Sequence, residues 1–191
     1  MALRSISYQN MPDEELMPSI AEGSAAAFDE LYHRYAQKMF SYFFRMLWKN
    51  KEQAEDQTQE LFLKLVSHAG SFERGRAVST WMYSIAHNMC KNEYRKEEVK
   101  AKYKIMKPQS EYFSDEKNID LGRFKEAVSN CTNELEEEKR SLFILRFQEQ
   151  LTVPDISRIL NIPEGTVKSR LFYLLKEMKE KLKQFETIHI T

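Results

Sequence analysis

The residues of this chain best suited to chemistry are cations, hydroxyls and aromatics at helical spacing. The chemistry they suit is non-covalent recognition of nucleic acid. The clearest instance is LTVPDISRILNIPEGTVKSRLFYLL, residues 151–175. Thr152 is a natural helix cap, Pro154 costs little in a first turn, and Asp155 complements the helix dipole. Ile156, Ile159 and Leu160 give the first helix an apolar face, and Asn161, Pro163 and Gly165 supply a break. Thr166 is expected to cap a second helix whose Val167, Leu171 and Leu174 or Leu175 face inward. Outward, Lys168, Ser169, Arg170 and Tyr173 offer cations for phosphates and donors or acceptors for base edges. An ordinary helical hairpin with a solvated basic face is the plainer alternative. The turn chemistry together with the GTVKSRL string outweighs it, giving a helix-turn-helix that reads duplex DNA.

Two further strings carry weaker signals. SFERGRAVSTWMYSIAHNMCKNEYRK, residues 71–96, joins a basic loop (Arg74, Arg76) to a Ser-Thr-Trp-Met-Tyr cluster and a helix ending in Asn92, Arg95 and Lys96. Aromatics interleaved with cations suit single-stranded DNA, whose bases stack or lodge in pockets while cations hold the backbone. Internal packing is the competing reading of Trp81 and Tyr83, and for Trp81 the two stand level. AEDQTQELFLKL, residues 54–65, sets Asp56, Gln59, Glu60 and Leu63 on neighbouring turns beside apolar Leu61, Phe62 and Leu65. On residue chemistry alone this is a surface helix that could serve as a docking face.

Other chemistries lack their residues. The two cysteines, Cys90 and Cys131, and the four histidines, His33, His68, His87 and His189, fall in no zinc-ligand spacing. The chain has no glycine-rich phosphate loop and no nucleophile elbow. No catalytic residue, metal or cofactor is expected. Twenty-nine basic residues balance 29 acidic ones, so any basic surface must be local. Cysteines read as buried apolar residues suit a reducing compartment. With no signal region and no run near the ~20 apolar residues of a membrane span, the expectation is a cytoplasmic protein without membrane insertion.

The elements that must position these residues read as helices. Only five glycines and five prolines in 191 residues leave few turns for a sheet-rich fold. Asp13 is expected to cap a short helix carrying Leu16 and Ile20, stopped near Gly23. Ser24 opens a long helix striped by Phe28, Leu31, Tyr32, Tyr35, Met39, Tyr42, Phe43, Met46 and Leu47, which is core packing. Asn50 caps a third helix. A loop from Ser67 to Val78 leads to a fourth, capped by Ser79 and running towards Tyr94. Residues 96–120 are mostly charged or polar and show no sustained apolar period, as a tether would. Order resumes near Leu121 on two helices carrying Phe124, Val128, Leu135, Leu142, Phe143, Leu145 and Phe147, before the helix-turn-helix and its extension to Phe185. The expected fold is all-α: one small helical domain at 1–96, a flexible linker at 97–120 and a second domain at 121–191.

In this order the strings resemble a bacterial sigma factor of the extracytoplasmic-function (ECF) group, the minimal members of the sigma-70 family. The resemblance runs from roughly Asp13 to Leu182. SAAAFDELYHRYA resembles the opening of region 2, AEDQTQELFLKL the helix that grips the clamp coiled coil of core RNA polymerase, and SFERGRAVSTWMYSIAHN the segment that melts and reads the −10 element. ELEEEKRSLFILRF with the helix-turn-helix resembles region 4, which reads the −35 element. There are departures. Ser157 stands where the family commonly has alanine, Val153-Pro154 where it has an aromatic-acidic pair, and Leu135 precedes three glutamates where it typically has proline.

The resemblance implies a transcription-initiation specificity subunit that is not an enzyme and directs core polymerase to specific promoters. It assigns polymerase docking to Asp56, Gln59, Glu60 and Phe62. Single-stranded −10 contacts fall to Phe72, Arg74, Arg76, Thr80, Trp81, Tyr83, Asn88, Asn92 and Arg95. Duplex −35 contacts fall to Thr166, Lys168, Ser169, Arg170, Phe172 and Tyr173. The implied partners are core RNA polymerase, through its clamp coiled coil and flap, promoter DNA and an anti-sigma factor. The alternative is a stand-alone helix-turn-helix transcriptional regulator with an N-terminal helical sensor or dimerisation domain, binding symmetric half-sites as a dimer.

Overall fold

A computed structural model describes residues 7–73, 75–101 and 119–183, with side chains described for all of these except 100, 101 and 119–121. Its regular elements are helices, and among the described residues there is no strand. They are α1 (Asp13–Ala21), α2 (Ala25–Met46), α3 (Lys51–His68), a 3-10 turn (Ala69–Ser71), α4 (Val78–Ala101), α5 (Ile119–Asn133), α6 (Glu137–Phe143), a π-helical turn (Ile144–Gln148), α7 (Val153–Leu160) and α8 (Glu164–Lys181). The chain divides into two compact units, Met1–Glu93 and Tyr94–Thr191, the division falling within α4. The expected linker is helical at both ends, through Ala101 and from Ile119, while 102–118 lie outside the described residues, as does Phe185. No described helix is long and apolar enough to cross a membrane.

In the first unit α2 is the spine. Leu31, Met39, Tyr42, Phe43 and Met46 are completely buried, against α1 through Leu16, Met17 and Ile20 and against α3 through Leu61 and Leu65. Each such side chain contributes about 1.5–3 kcal/mol on removal from water. Ser24 and Asn50 cap α2 and α3 as their positions predict, accepting from the backbone N–H groups of Ala27 and Gln53.

Two expected caps do other work. Asp13 is the first residue of α1 and makes no side-chain cap. Its carboxylate instead takes the Arg34 guanidinium at 2.6 Å and the Tyr35 hydroxyl, because a cation offers a charged carboxylate more than a neutral N–H does. Arg34 also donates to Glu30 (2.7 Å) and to the carbonyls of Met11 (2.8 Å), Tyr8 (3.1 Å) and Gln9 (2.9 Å). One side chain thereby lashes residues 8–13 to α2. Ser79 is likewise not the cap of α4, which begins one residue earlier. Its hydroxyl meets that of Tyr35, and the Val78 N–H is received by Glu14 of α1 at 3.2 Å.

In the second unit the core is Leu135, Leu142, Ile144, Leu145, Ile156, Ile159, Val167, Leu171, Leu174 and Met178. Arg140 is buried among them, yet donates to the carbonyls of Thr132, Asn133 (2.6 Å) and Leu135 (3.0 Å). A cation at the C-terminal end of α5 is where the helix dipole favours one. Ion pairs join α8 to the preceding segments, among them Lys139–Glu177 at 2.6 Å, Arg170–Glu138 at 2.8 Å and Lys181–Glu134 at 3.2 Å.

Candidate nucleic-acid interface

The tight turn between α7 and α8 sets the angle of the second helix. Thr152 caps α7 by accepting from the Asp155 N–H, and Asn161 ends it in the left-handed conformation, φ 54°. Ser157 explains itself here. Its hydroxyl donates to the Ile162 carbonyl at 2.6 Å while its own carbonyl accepts the Ile162 N–H at 3.1 Å. An alanine at this position could not make the first bond, so the serine fastens the turn from inside. α8 starts at Glu164 behind Pro163, with no side-chain cap, so Thr166 lies inside the first turn and is not the cap its type suggests. Pro163 displaces it because a fixed φ suits the position just before a helix.

From that start α8 buries Val167, Leu171, Leu174 and Met178 and turns the opposite side outward. Lys168, Ser169, Arg170, Phe172 and Tyr173 are all exposed, and Thr166 is half-buried at the edge. Phe172 and Tyr173 are 65% and 67% exposed, their rings edge to face at 5.5 Å. Ser169 donates to the Thr166 carbonyl at 3.1 Å, which leaves its oxygen lone pairs to accept from a base amino group. Arg170 is partly engaged by Glu138. Lys176, exposed on the same outward side, is a cation that reading the GTVKSRL string alone overlooks, although its spacing from Ser169 and Tyr173 reveals it.

In α4 the side chains at three- and four-residue steps from Trp81 through Ser84, Asn88 and Asn92 to Arg95 share one side. The last three are exposed and the first two half-buried. Phe72, before the helix, packs against Trp81 with ring centroids 5.4 Å apart. Arg76 donates to the Ser84 hydroxyl at 3.2 Å, a partner the sequence does not announce. Gly75 takes φ +94°, a conformation that other residues rarely adopt. Arg74 lies outside the described residues.

Thr80 and Tyr83 are not on this side. Tyr83 is 3% exposed and meets Tyr42 edge to face at 5.3 Å, and Thr80 is 1% exposed. Both belong to the core, because α4 turns their side towards α2. His87, also buried, has its pKa lowered to about 4 by burial and by the neighbouring Lys91. Burial and the Asp13 carboxylate raise that of Tyr35.

On α3, Glu52, Asp56, Gln59, Leu63 and Val66 form one exposed stripe, with Glu60 beside it paired to Lys64 at 2.6 Å. Leu63 is 66% exposed, an apolar side chain at the middle of a polar stripe, and Tyr32 of α2 is also exposed. Phe62 points the other way. It is 3% exposed and packs against Phe28 and Tyr32, at 6.0 Å and 4.7 Å between centroids. It supports the stripe from beneath. Among the described residues no group of three His, Cys, Asp or Glu could hold a metal ion, and both cysteines are buried thiols.

Two family models match segments that span most of α2 to α4 and most of α5 to α8, with α1 outside both. The model described as Sigma-70 region 2 matches residues 31–99, and that described as Sigma-70, region 4 matches residues 125–178. The chain is 28% identical over 171 residues to the RNA polymerase sigma-H factor of Pseudomonas aeruginosa, covering 84% of this chain and 88% of that one. It is 27% identical over 177 residues to the ECF RNA polymerase sigma factor SigW of Bacillus subtilis, covering 86% and 93%. Among solved structures, the sigma factor RpoE of Bartonella quintana, in complex with the anti-sigma factor NepR, is similar in fold. Its TM-score is 0.69 at 21% identity, over 82% of this chain and 96% of that one.

Proposed function

The chain belongs to the ECF group of the sigma-70 family, and on that premise we propose that it is a promoter-specificity subunit of bacterial RNA polymerase, directing core polymerase to specific promoters and initiating transcription there. The reading requires no bond-making step by this chain and places it in the cytoplasm with polymerase. The observation that carries it is the exposed side of α4 from Trp81 to Asn92, set in a unit whose α3 bears the separate stripe Asp56–Gln59–Leu63.

The α3 stripe, with Asp56, Gln59, Glu60 and Leu63, docks the clamp coiled coil while Phe62 supports it. Phe72, Arg74, Arg76, Trp81, Asn88, Asn92 and Arg95 hold unstacked −10 bases, while Thr80 and Tyr83 support α4 from within the core. Holding flipped bases offsets an unstacking cost of a few kcal/mol. Thr166, Lys168, Ser169, Arg170, Phe172 and Tyr173 meet the −35 duplex, with phosphate contacts that weaken as salt rises. Residues 97–120 tether the two readers so that one raises the effective concentration of the other. Balanced net charge fits a protein whose affinity for DNA is supplied largely within the polymerase complex. An anti-sigma factor, as solved with the Bartonella relative, is the proposed regulator.

Transcription from genomic fragments with purified core polymerase, with and without the full chain, tests this reading. Promoter-specific RNA that depends on the chain is the expected result. No such RNA, with tight binding of duplex by the protein alone, would replace it with the stand-alone regulator.

A further inference from the structure

We propose that Glu14 of α1 is a positioning residue for −10 recognition, acting through the first turn of α4. The inference rests on the sigma reading above and adds to it a residue outside every segment assigned to DNA.

A helix start has unpaired N–H groups, and a carboxylate that accepts one of them also complements the positive end of the helix dipole. For α4 that carboxylate comes from sixty-four residues earlier in the chain, since Glu14 Oε1 accepts the Val78 N–H at 3.2 Å. Val78 itself is completely buried, so losing this acceptor leaves its N–H short of a hydrogen bond unless solvent enters where Glu14 stood. Trp81, the first aromatic on the proposed DNA-facing side, follows one turn later and packs against Phe72 with its ring tilted. Where Glu14 places Val78, Trp81 and the arginine-bearing approach to α4 are placed as well.

Three neighbouring contacts make Glu14 a fixed point. Arg34 binds Asp13 and the carbonyls of Tyr8, Gln9 and Met11, which sets the start of α1 on α2. Tyr35 of α2 joins Asp13 of α1 to Ser79 of α4. α1 also packs on the 3-10 turn Ala69–Ser71, immediately before Phe72. The approach to α4 is thus held at both ends by α1, from the 3-10 turn on one side and from Glu14 on the other. Glu14 is exposed to solvent apart from this bond, so its truncation removes the contact and leaves the core of Leu16, Met17 and Ile20 in place.

The experiment compares full-length wild type, Glu14→Ala and Glu14→Gln in holoenzyme with core polymerase. The promoter is one that wild type opens, with 2-aminopurine in the non-template −10 strand, and amide hydrogen exchange at Val78 is followed in the free proteins. Glu14→Ala should slow promoter opening by about fivefold, the scale of a lost helix cap, with core affinity unchanged. It should also speed exchange at Val78. Glu14→Gln keeps an acceptor oxygen and should restore both to within about twofold of wild type, as isosteric capping residues do. Opening by Glu14→Ala at the wild-type rate would overturn the proposal. Equal impairment of both variants would overturn it too, since charge or folding would then be at issue and not the bond to Val78. Wild type that opens no promoter would overturn the sigma reading itself, and this proposal with it.

Discussion

α4 and α8 each present one side proposed to meet DNA, but they keep that side clear by different means. α8 sorts most of its residues by type: Val167, Leu171, Leu174 and Met178 are buried, while cations, a hydroxyl, two aromatics and the single aliphatic Leu175 face out. α4 buries Thr80, His87 and Glu93 and leaves Val99 exposed, so polarity there does not mark the outside. α8 takes its angle from a short turn fastened by Ser157. α4 takes its start from groups on α1 and α2 that are distant in sequence. A reader of duplex DNA needs one helix at a set angle, while a reader of unstacked bases needs a shaped surface, and a shaped surface is built by neighbours.

The largest test of this contrast uses two tyrosines. Tyr83→Ala in α4 should cost about 4 kcal/mol of stability, as aromatic truncations in cores do. Tyr173→Ala in α8 should cost less than about 0.5 kcal/mol, as surface substitutions do, while weakening −35 binding. Chemical denaturation of both variants checks this. Similar losses would mean that α4 and α8 are not partitioned as described.

Acid should act on α4 next. His87 has its pKa lowered from 6.5 to about 4 in the fold. Its neutral form is favoured there, so this contribution is fully present above pH 6.5 and is lost as pH falls through the folded value near 4. A shift of this size corresponds to about 3 kcal/mol at most. Unfolding free energy measured between pH 7 and pH 4 should fall accordingly, and His87→Phe should flatten the dependence. An unchanged slope in that variant would assign the acid sensitivity elsewhere. The smallest expected effect belongs to the turn. Ser157→Ala should cost about 1 kcal/mol, the net worth of one hydrogen bond, and no more than slightly reduce −35 binding. Thermal unfolding of the variant reads it.

The two helices also differ in how far their roles could be read from residues alone. The α7–α8 turn motif is local in sequence: a cap, a break and an apolar period within 25 residues suffice to place Lys168, Ser169, Phe172 and Tyr173 outside. The all-helical fold and the sigma-70 regions were legible for the same reason. The burial of Tyr83, Thr80 and Phe62 is not legible in the sequence, because aromatics and hydroxyls suit both cores and DNA, and only the direction of α4 and α3 against α2 decides which. Asp13, Ser79 and Thr166 all look like caps by type. Arg34 and Tyr35 draw Asp13 and Ser79 away, and Pro163 displaces Thr166. No local pattern announces Glu14 as the acceptor for Val78, because that bond spans sixty-four residues and depends on long-range packing.

The central claim is that α4 opens the promoter while the α7–α8 motif locates it. Permanganate footprinting of −10 thymines tests it most directly, using holoenzyme with wild type or with Asn88→Ala, Asn92→Ala and Arg95→Ala combined. The prediction is reactive thymines with wild type, and a triple variant that binds core polymerase and protects the −35 duplex yet leaves the −10 thymines unreactive. A triple variant that opens the −10 region as wild type does would contradict the account.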